Sequence, residues 1–111
     1  MNWILLTDET QLQQIITHSA SKPQVIFKHS ARCGISSMAR NRLERNKQPV
    51  EIDFYFLDLL QFRQLSHKVA DVFKVDHESP QVLLIKNGQC VYDESHSGIS
   101  MDEIVEKSIA A

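Results

Sequence analysis

An α/β fold, with a mixed central sheet and helices on both faces, is the fold class predicted by the 111-residue sequence. Three observations predict it. Short apolar runs alternate with segments of helical spacing along the chain, which implies strands joined by helices and paired in parallel. Two of those runs, "QVIFKH" (24–29) and "VLLI" (82–85), are continuous, as in strands covered on both faces. Asn87-Gly88 is the strongest short hairpin signal available, so one strand pair is antiparallel.

Taken in order, "WILL" (3–6) reads as a first strand. Thr7 or Asp8 can cap a helix whose apolar positions Leu12, Ile15 and Ile16 fall at i, i+3 and i+4. "SKP" breaks that helix before the second strand at 24–29. From Cys33, the residues Ile35, Met38, Ala39, Leu43 and Asn46 keep helical spacing until "KQP" ends the helix near Lys47. "EIDFYFLDL" sets Ile52, Phe54 and Phe56 against Asp53 and Tyr55 and is rich in aromatics, so it is a strand. Phe62, Leu65, Val69, Val72 and Phe73 mark a third helix. "VLLI" and "QCVYDE" flank the Asn87-Gly88 turn. "SMDE" is a capping box, with Ser100 as N-cap and Glu103 at N3, and it opens a last helix through Ile104, Val105 and Ile109. The order is β-α-β-α-β-α-β-β-α, in one domain over 1–111 with no repeat and no linker.

Composition narrows the function. A net charge of −2 carries no overall nucleic-acid or anionic-membrane signature. No apolar run approaches the roughly 20 residues that span a bilayer. The start "MNWILLTDET" has no positive n-region, so no signal peptide is expected. Two cysteines, Cys33 and Cys90, are too few for a disulfide scaffold and fit a reducing cytoplasm. The five histidines have no metal-ligand spacing, so no metal site is expected.

The chemistry centres on "FKHSARCGISSMAR" (27–40). A free cysteine is commonly just a small buried hydrophobe. Cys33, however, stands between a strand and a helix start, where unpaired N–H groups and the positive dipole end favour a thiolate. Arg32 is adjacent, Lys28 and His29 lie on the strand leading in, and the Ser36 hydroxyl sits one turn along; each can favour the anion. Between Lys28 and Lys47 six basic residues face one acid, Glu44. Arg32 and Arg40 are the best placed of them to meet an anionic substrate; Arg42, Arg45 and Lys47 fit a solvated helix face equally well. Ser36 can orient Cys33 but cannot form a disulfide with it. A mixed disulfide on Cys33 must therefore be released by another thiol, a one-thiol exchange cycle. Cys90 reads mainly as a packing residue, with a resolving role as the lesser alternative.

The element order, with a cysteine at the start of the second helix, resembles the thioredoxin fold. "ESPQVLLIKNG" is similar to the segment in which a cis-proline opens the fourth strand, and Pro80 stands at that position. Cis geometry for Pro80 is an implication of that resemblance alone, because it is uncommon in X-Pro bonds generally. Ser79 would then expose its backbone beside Cys33 to an extended client peptide. Within the superfamily the sequence resembles the YtxJ-type monothiol bacilliredoxins, on the "KHS…C.IS..A" context of Lys28, His29, Ser30, Cys33, Ile35, Ser36 and Ala39. Gly34 stands where many members carry proline. The resemblance implies a cytoplasmic, monomeric thiol-disulfide oxidoreductase acting in oxidative stress. Its partners would be client proteins carrying mixed disulfides and a low-molecular-weight thiol. It implies no bound cofactor, with bacillithiol as the small-thiol cosubstrate, held with the client by Arg32, Lys28, His29, Gly34, Ser79, Pro80 and Arg40.

Two other readings stay open on the residues. "CGIS" differs at one residue from the Cys-Gly-Phe-Ser of monothiol glutaredoxins, which points to an iron–sulfur or glutathione-binding protein. The missing second cysteine equally fits a non-catalytic thioredoxin-like adaptor.

Overall fold

The computed structural model describes residues 1–110 and holds a five-stranded sheet in the order β1-β3-β2-β4-β5. The strands are β1 (Trp3–Leu5), β2 (Gln24–His29), β3 (Asp53–Asp58), β4 (Gln81–Lys86) and β5 (Gln89–Ser95). The helices are α1 (Thr10–His18), α2 (Gly34–Glu44), α3 (Arg63–Phe73) and α4 (Met101–Ile109). None of these helices is long and apolar enough to cross a membrane.

β3 pairs in parallel with both β1 and β2, as strands joined by helices should. The expectation of a single antiparallel pair is corrected, because β4 runs antiparallel to β2 as well as to β5. Residues 74–80 separate α3 from β4. That connection is long enough to return the chain to the sheet end where β2 and β3 finish, so β4 starts there and runs the other way. In the resulting register Lys28 faces Gln81. Continued one and two residues, it brings Pro80 beside His29 and Ser79 beside Ser30.

Both faces of the sheet are covered, which is why β2 is buried at all six positions. Ile26, Tyr55, Leu57, Leu83 and Ile85 pack under α1 and α3, while Val25, Phe27, Phe54, Val82 and Leu84 pack under α2 and α4. Tyr55, expected on a polar face of β3, is only 5% exposed, because α3 closes over that side. The inward residues of α2 are Ser36, Ala39 and Leu43; Ile35 and Met38 point to solvent instead, correcting their assignment to the apolar stripe. The helix also stops at Glu44 rather than near Lys47. Arg45 is its C-cap, and the Asn46 side chain donates to the Arg42 carbonyl at 2.8 Å.

Local signals were accurate at the ends of other elements. Ser100 caps α4 by accepting from the Glu103 N–H at 3.2 Å. At α1 the cap position is Glu9, not the expected Thr7 or Asp8, although Asp8 one residue earlier still accepts from the Thr10 N–H at 2.8 Å. Asn87 and Gly88 both take positive φ (52° and 77°), the conformation of a tight hairpin turn. That turn is fastened to the end of α1. The Ser19 carbonyl accepts from the Asn87 N–H at 2.9 Å, and the Ser19 hydroxyl accepts from the Gly88 N–H at 2.8 Å. Ser19 is 4% exposed, and Ser19→Ala takes the partner from the half-buried Gly88 N–H. The substitution is expected to cost about 1–3 kcal/mol in chemical denaturation with the native spectrum unchanged. A loss within error would show that water replaces the hydroxyl freely.

Candidate active site

β2 ends at His29, and a tight turn through Ser30, Ala31 and Arg32 delivers Cys33 to the N-cap of α2. The Cys33 N–H donates to the Ser30 carbonyl at 3.1 Å, and the Cys33 carbonyl accepts from the Ser37 N–H at 3.2 Å. Ser36 is fully buried, and its Oγ accepts from the Ser30 N–H at 3.3 Å. The residue that stands where a second cysteine would be therefore ties the helix start to the strand end. Its hydroxyl proton is still available to the sulfur.

Cys33 is half-buried, and its thiol pKa lies below the ordinary value. The backbone N–H of Ser36 is the largest cause, followed by that of Ile35, with the Ser36 hydroxyl adding to them. Both N–H groups belong to the open first turn of α2, which has no helical partner for them. They act on the sulfur without closing a capping hydrogen bond. The expected contributions of Arg32, Lys28 and His29 to this shift are absent; neighbouring dipoles lower the pKa, not neighbouring charges.

The second wall of the site is the Ser79–Pro80 segment, whose peptide bond is cis. Ser79 lies alongside Ser30 by register, one tight turn from Cys33. Its Oγ is buried without a partner, and its backbone N–H and C=O are unpaired among the described residues.

The basic residues part company. Arg32 is exposed beside the thiol. Arg40 lies two turns along α2, with its guanidinium 4.7 Å from the centre of the Phe56 ring. Its Nε is 3.1 Å from Glu44 Oε2, which also accepts from the Trp3 indole N–H at 2.7 Å. The Nη groups of Arg40 have no partner among the described residues and can meet an anion. Beneath, His29 is 4% exposed and its ring packs on Phe27 and Phe56, with Nε2 unpaired. Burial chiefly, and then Arg40, push its pKa down against the pull of Asp58 and Glu44. Glu44 and Phe56 were missed as site residues in sequence, although the i,i+4 spacing of Arg40 and Glu44 is a readable signal.

Lys28 is the clearest correction. As the strand residue between Phe27 and His29 it projects to the opposite face, is fully buried under α3, and does not join the thiol. Arg42, read as equally suited to a solvated face, holds the chain ahead of α4 through the Ile99 and His96 carbonyls at 3.2 and 3.1 Å. Gly34 occupies the first helical position with open space about it, since an added Cβ would meet nothing within 4 Å. No cluster of three or more metal-ligating side chains exists among the described residues.

Cys90 cannot resolve Cys33 within one copy. It pairs with Ile85, which pairs with Gln24 at the far end of β2 from Cys33. That six-residue strand spans about 16 Å, whereas a disulfide needs Cα atoms within about 7 Å. Burial also pushes the Cys90 thiol up to about 11. At neutral pH the thiolate fractions therefore differ by roughly a hundredfold or more. Iodoacetamide labelling followed by mass spectrometry is expected to modify Cys33 far ahead of Cys90, and equal rates would contradict this geometry.

Comparison with known proteins agrees with the architecture. A protein described as a candidate oxidoreductase with a thioredoxin fold is 31% identical, with a TM-score of 0.82 over 94% of this chain and 91% of its own. The thioredoxin of Malassezia sympodialis matches at 20% identity and a TM-score of 0.75, covering 94% of this chain and 89% of that one. Fasciola hepatica thioredoxin matches at 20% identity and 0.68, covering 92% of each. These place the chain in the thioredoxin fold, and the first supports thiol redox chemistry. The family model described as monothiol bacilliredoxin BrxC matches residues 4–104. With a single free thiol on the N-cap residue of α2 and no second cysteine within reach, the chain belongs to the monothiol bacilliredoxin family.

Proposed function

We propose that this protein removes bacillithiol from client proteins by one-thiol exchange at Cys33. The observation that carries the reading is the pairing of Cys33 with a buried, hydrogen-bonded Ser36 while Cys90 lies at the other end of the sheet. The site can hold one mixed disulfide and has no internal route to discharge it.

The Cys33 thiolate attacks the bacillithiol sulfur of the client's mixed disulfide. A disulfide forms between Cys33 and bacillithiol as the client's sulfur–sulfur bond breaks, and the client cysteine leaves as a thiolate that takes a proton from solvent. A second bacillithiol thiolate then attacks the bacillithiol sulfur on Cys33, giving bacillithiol disulfide and the free Cys33 thiolate. The malate carboxylates of the small thiol suit Arg32 and the Nη groups of Arg40. The unpaired Ser79 backbone offers two hydrogen bonds to an extended client segment. The protein would work as a single copy in a reducing cytoplasm, with no bound cofactor.

An assay following loss of bacillithiol from a modified client decides the reading. Activity in the native protein and none in Cys33→Ala is expected; equal activity in both would sink the idea. The rate should rise with pH as Cys33 deprotonates, with an inflection below the ordinary thiol range. In Ser36→Ala that inflection moves up and the neutral-pH rate falls, because the hydroxyl that stabilises the thiolate is gone. A superimposable pH profile would remove Ser36 from the chemistry.

Arg40→Gln keeps a polar side chain but loses the cation. It is expected to raise KM for the small thiol about three- to tenfold with kcat little changed, as for a lost charged contact. An effect confined to kcat would place Arg40 elsewhere in the cycle.

A further inference from the structure

On the sheet face away from Cys33, Lys28 is fully buried with no carboxylate within 4 Å of its ammonium among the described residues. Its Nζ donates to the Ser66 carbonyl of α3 at 3.2 Å and lies 3.1 Å from Nδ1 of His77. Ser66 Oγ stands 3.4 Å from the same His77 nitrogen. A buried ammonium without a counter-ion is costly, and apolar replacement of buried charge is often neutral or stabilising. Core packing alone gives no reason for a lysine here.

Its position suggests one. Lys28 pairs across the sheet with Gln81, which is 1% exposed. Gln81 Nε2 donates to the Asp76 carbonyl at 3.0 Å, and its Oε1 accepts from the Glu78 N–H at 3.4 Å. Two adjacent buried side chains, one from each central strand, therefore hold residues 76–78. Those residues lead directly into Ser79 and Pro80.

We propose that Lys28 is a positioning residue for client binding, which fixes the Ser79–Pro80 segment through His77 and lets it go when His77 is protonated in acid. The proposal rests on the reading that Ser79 receives the client. Nδ1 of His77 accepts from the ammonium only while it carries no proton, so the neutral ring holds its proton on Nε2. Protonation would set two cations 3.1 Å apart in a buried place. The groups facing His77 are Lys28 from β2, His67 from α3 with its ring centre 6.2 Å away, and Glu78 of its own segment. Burial, Lys28 and His67 push its pKa below 6.5 and Glu78 opposes them, so the contact is intact at neutral pH and is lost as pH falls.

The 111-residue chain tests this with Lys28→Met and His77→Asn, the latter presenting a non-titrating oxygen near the Nδ1 position. Amide NMR of residues 76–81 is followed from about pH 7.5 to about pH 5 alongside client KM and kcat. In the native protein those amides should shift with the His77 ring at a midpoint below 6.5, and KM should climb over the same range. Lys28→Met is expected to raise client KM about three- to tenfold with kcat retained and faster exchange of the 76–81 amides. His77→Asn should keep KM flat with pH. Amides that ignore the His77 titration, or an unchanged KM pH dependence in His77→Asn, overturn the proposal. If Lys28→Met does not fold, the His77→Asn comparison decides alone. If the native protein has no exchange activity, the functional reading falls and the amide titration still judges the clamp.

Discussion

The antiparallel register of β4 on β2 is the constraint on which the rest of the site depends. Cys33 and its helix are connected to β2, while Ser79 and Pro80 are connected to β4, and 45 residues of chain (34–78) lie between Cys33 and Ser79. Only the pairing of Lys28 with Gln81 puts the two at one end of the sheet. The register is strongly held because both faces of each central strand are buried, so a one-residue slip would move each inward set to the wrong face. The thiol site is in this sense a property of one end of the central strand pair and not of the cysteine motif alone.

Around Cys33 the competition between charges and dipoles is settled by distance and burial. Six basic side chains crowd the segment from Lys28 to Lys47, yet the thiolate is favoured by two backbone N–H groups and one hydroxyl. A fixed N–H in the first helical turn points at the cap residue at no conformational cost. Arg32 is solvated and free to swing, which weakens its field in water. Arg40 is anchored by Glu44 and Phe56, so it suits holding a substrate anion better than tuning the sulfur. The two jobs fall to different parts of the helix.

Short-range chemistry was readable from the sequence wherever a backbone requirement dictated residue type. The Asn87-Gly88 turn, the Ser100 cap and the placement of Cys33 ahead of a helix all rest on contacts within a few residues. Ser36 was equally visible as a serine one turn from a cysteine, although its bond to the Ser30 N–H was not. The misreadings share a cause. Ile35 and Met38 have helical spacing relative to Leu43 but lie outside the arc that α2 buries, since spacing gives a period and leaves the phase open. Tyr55 alternates with Phe54 but is covered as well, because alternation cannot say whether a second helix layer closes the other face.

The sequence by itself determined the element order, the turn and cap positions, the one-thiol character of Cys33 and the resemblance that names its family. Those follow from local conformational preferences and from which residues can make a disulfide. The tertiary structure alone decided that Lys28 belongs beneath α3 with His77, that Arg42 is a structural tie, that Cys90 is out of reach, and that Ser79 and the thiol share one end of the sheet. Each of those depends on which face of a strand a side chain occupies and on where a long connection returns the chain. Such facts are set by packing between residues far apart in sequence, which no local pattern encodes.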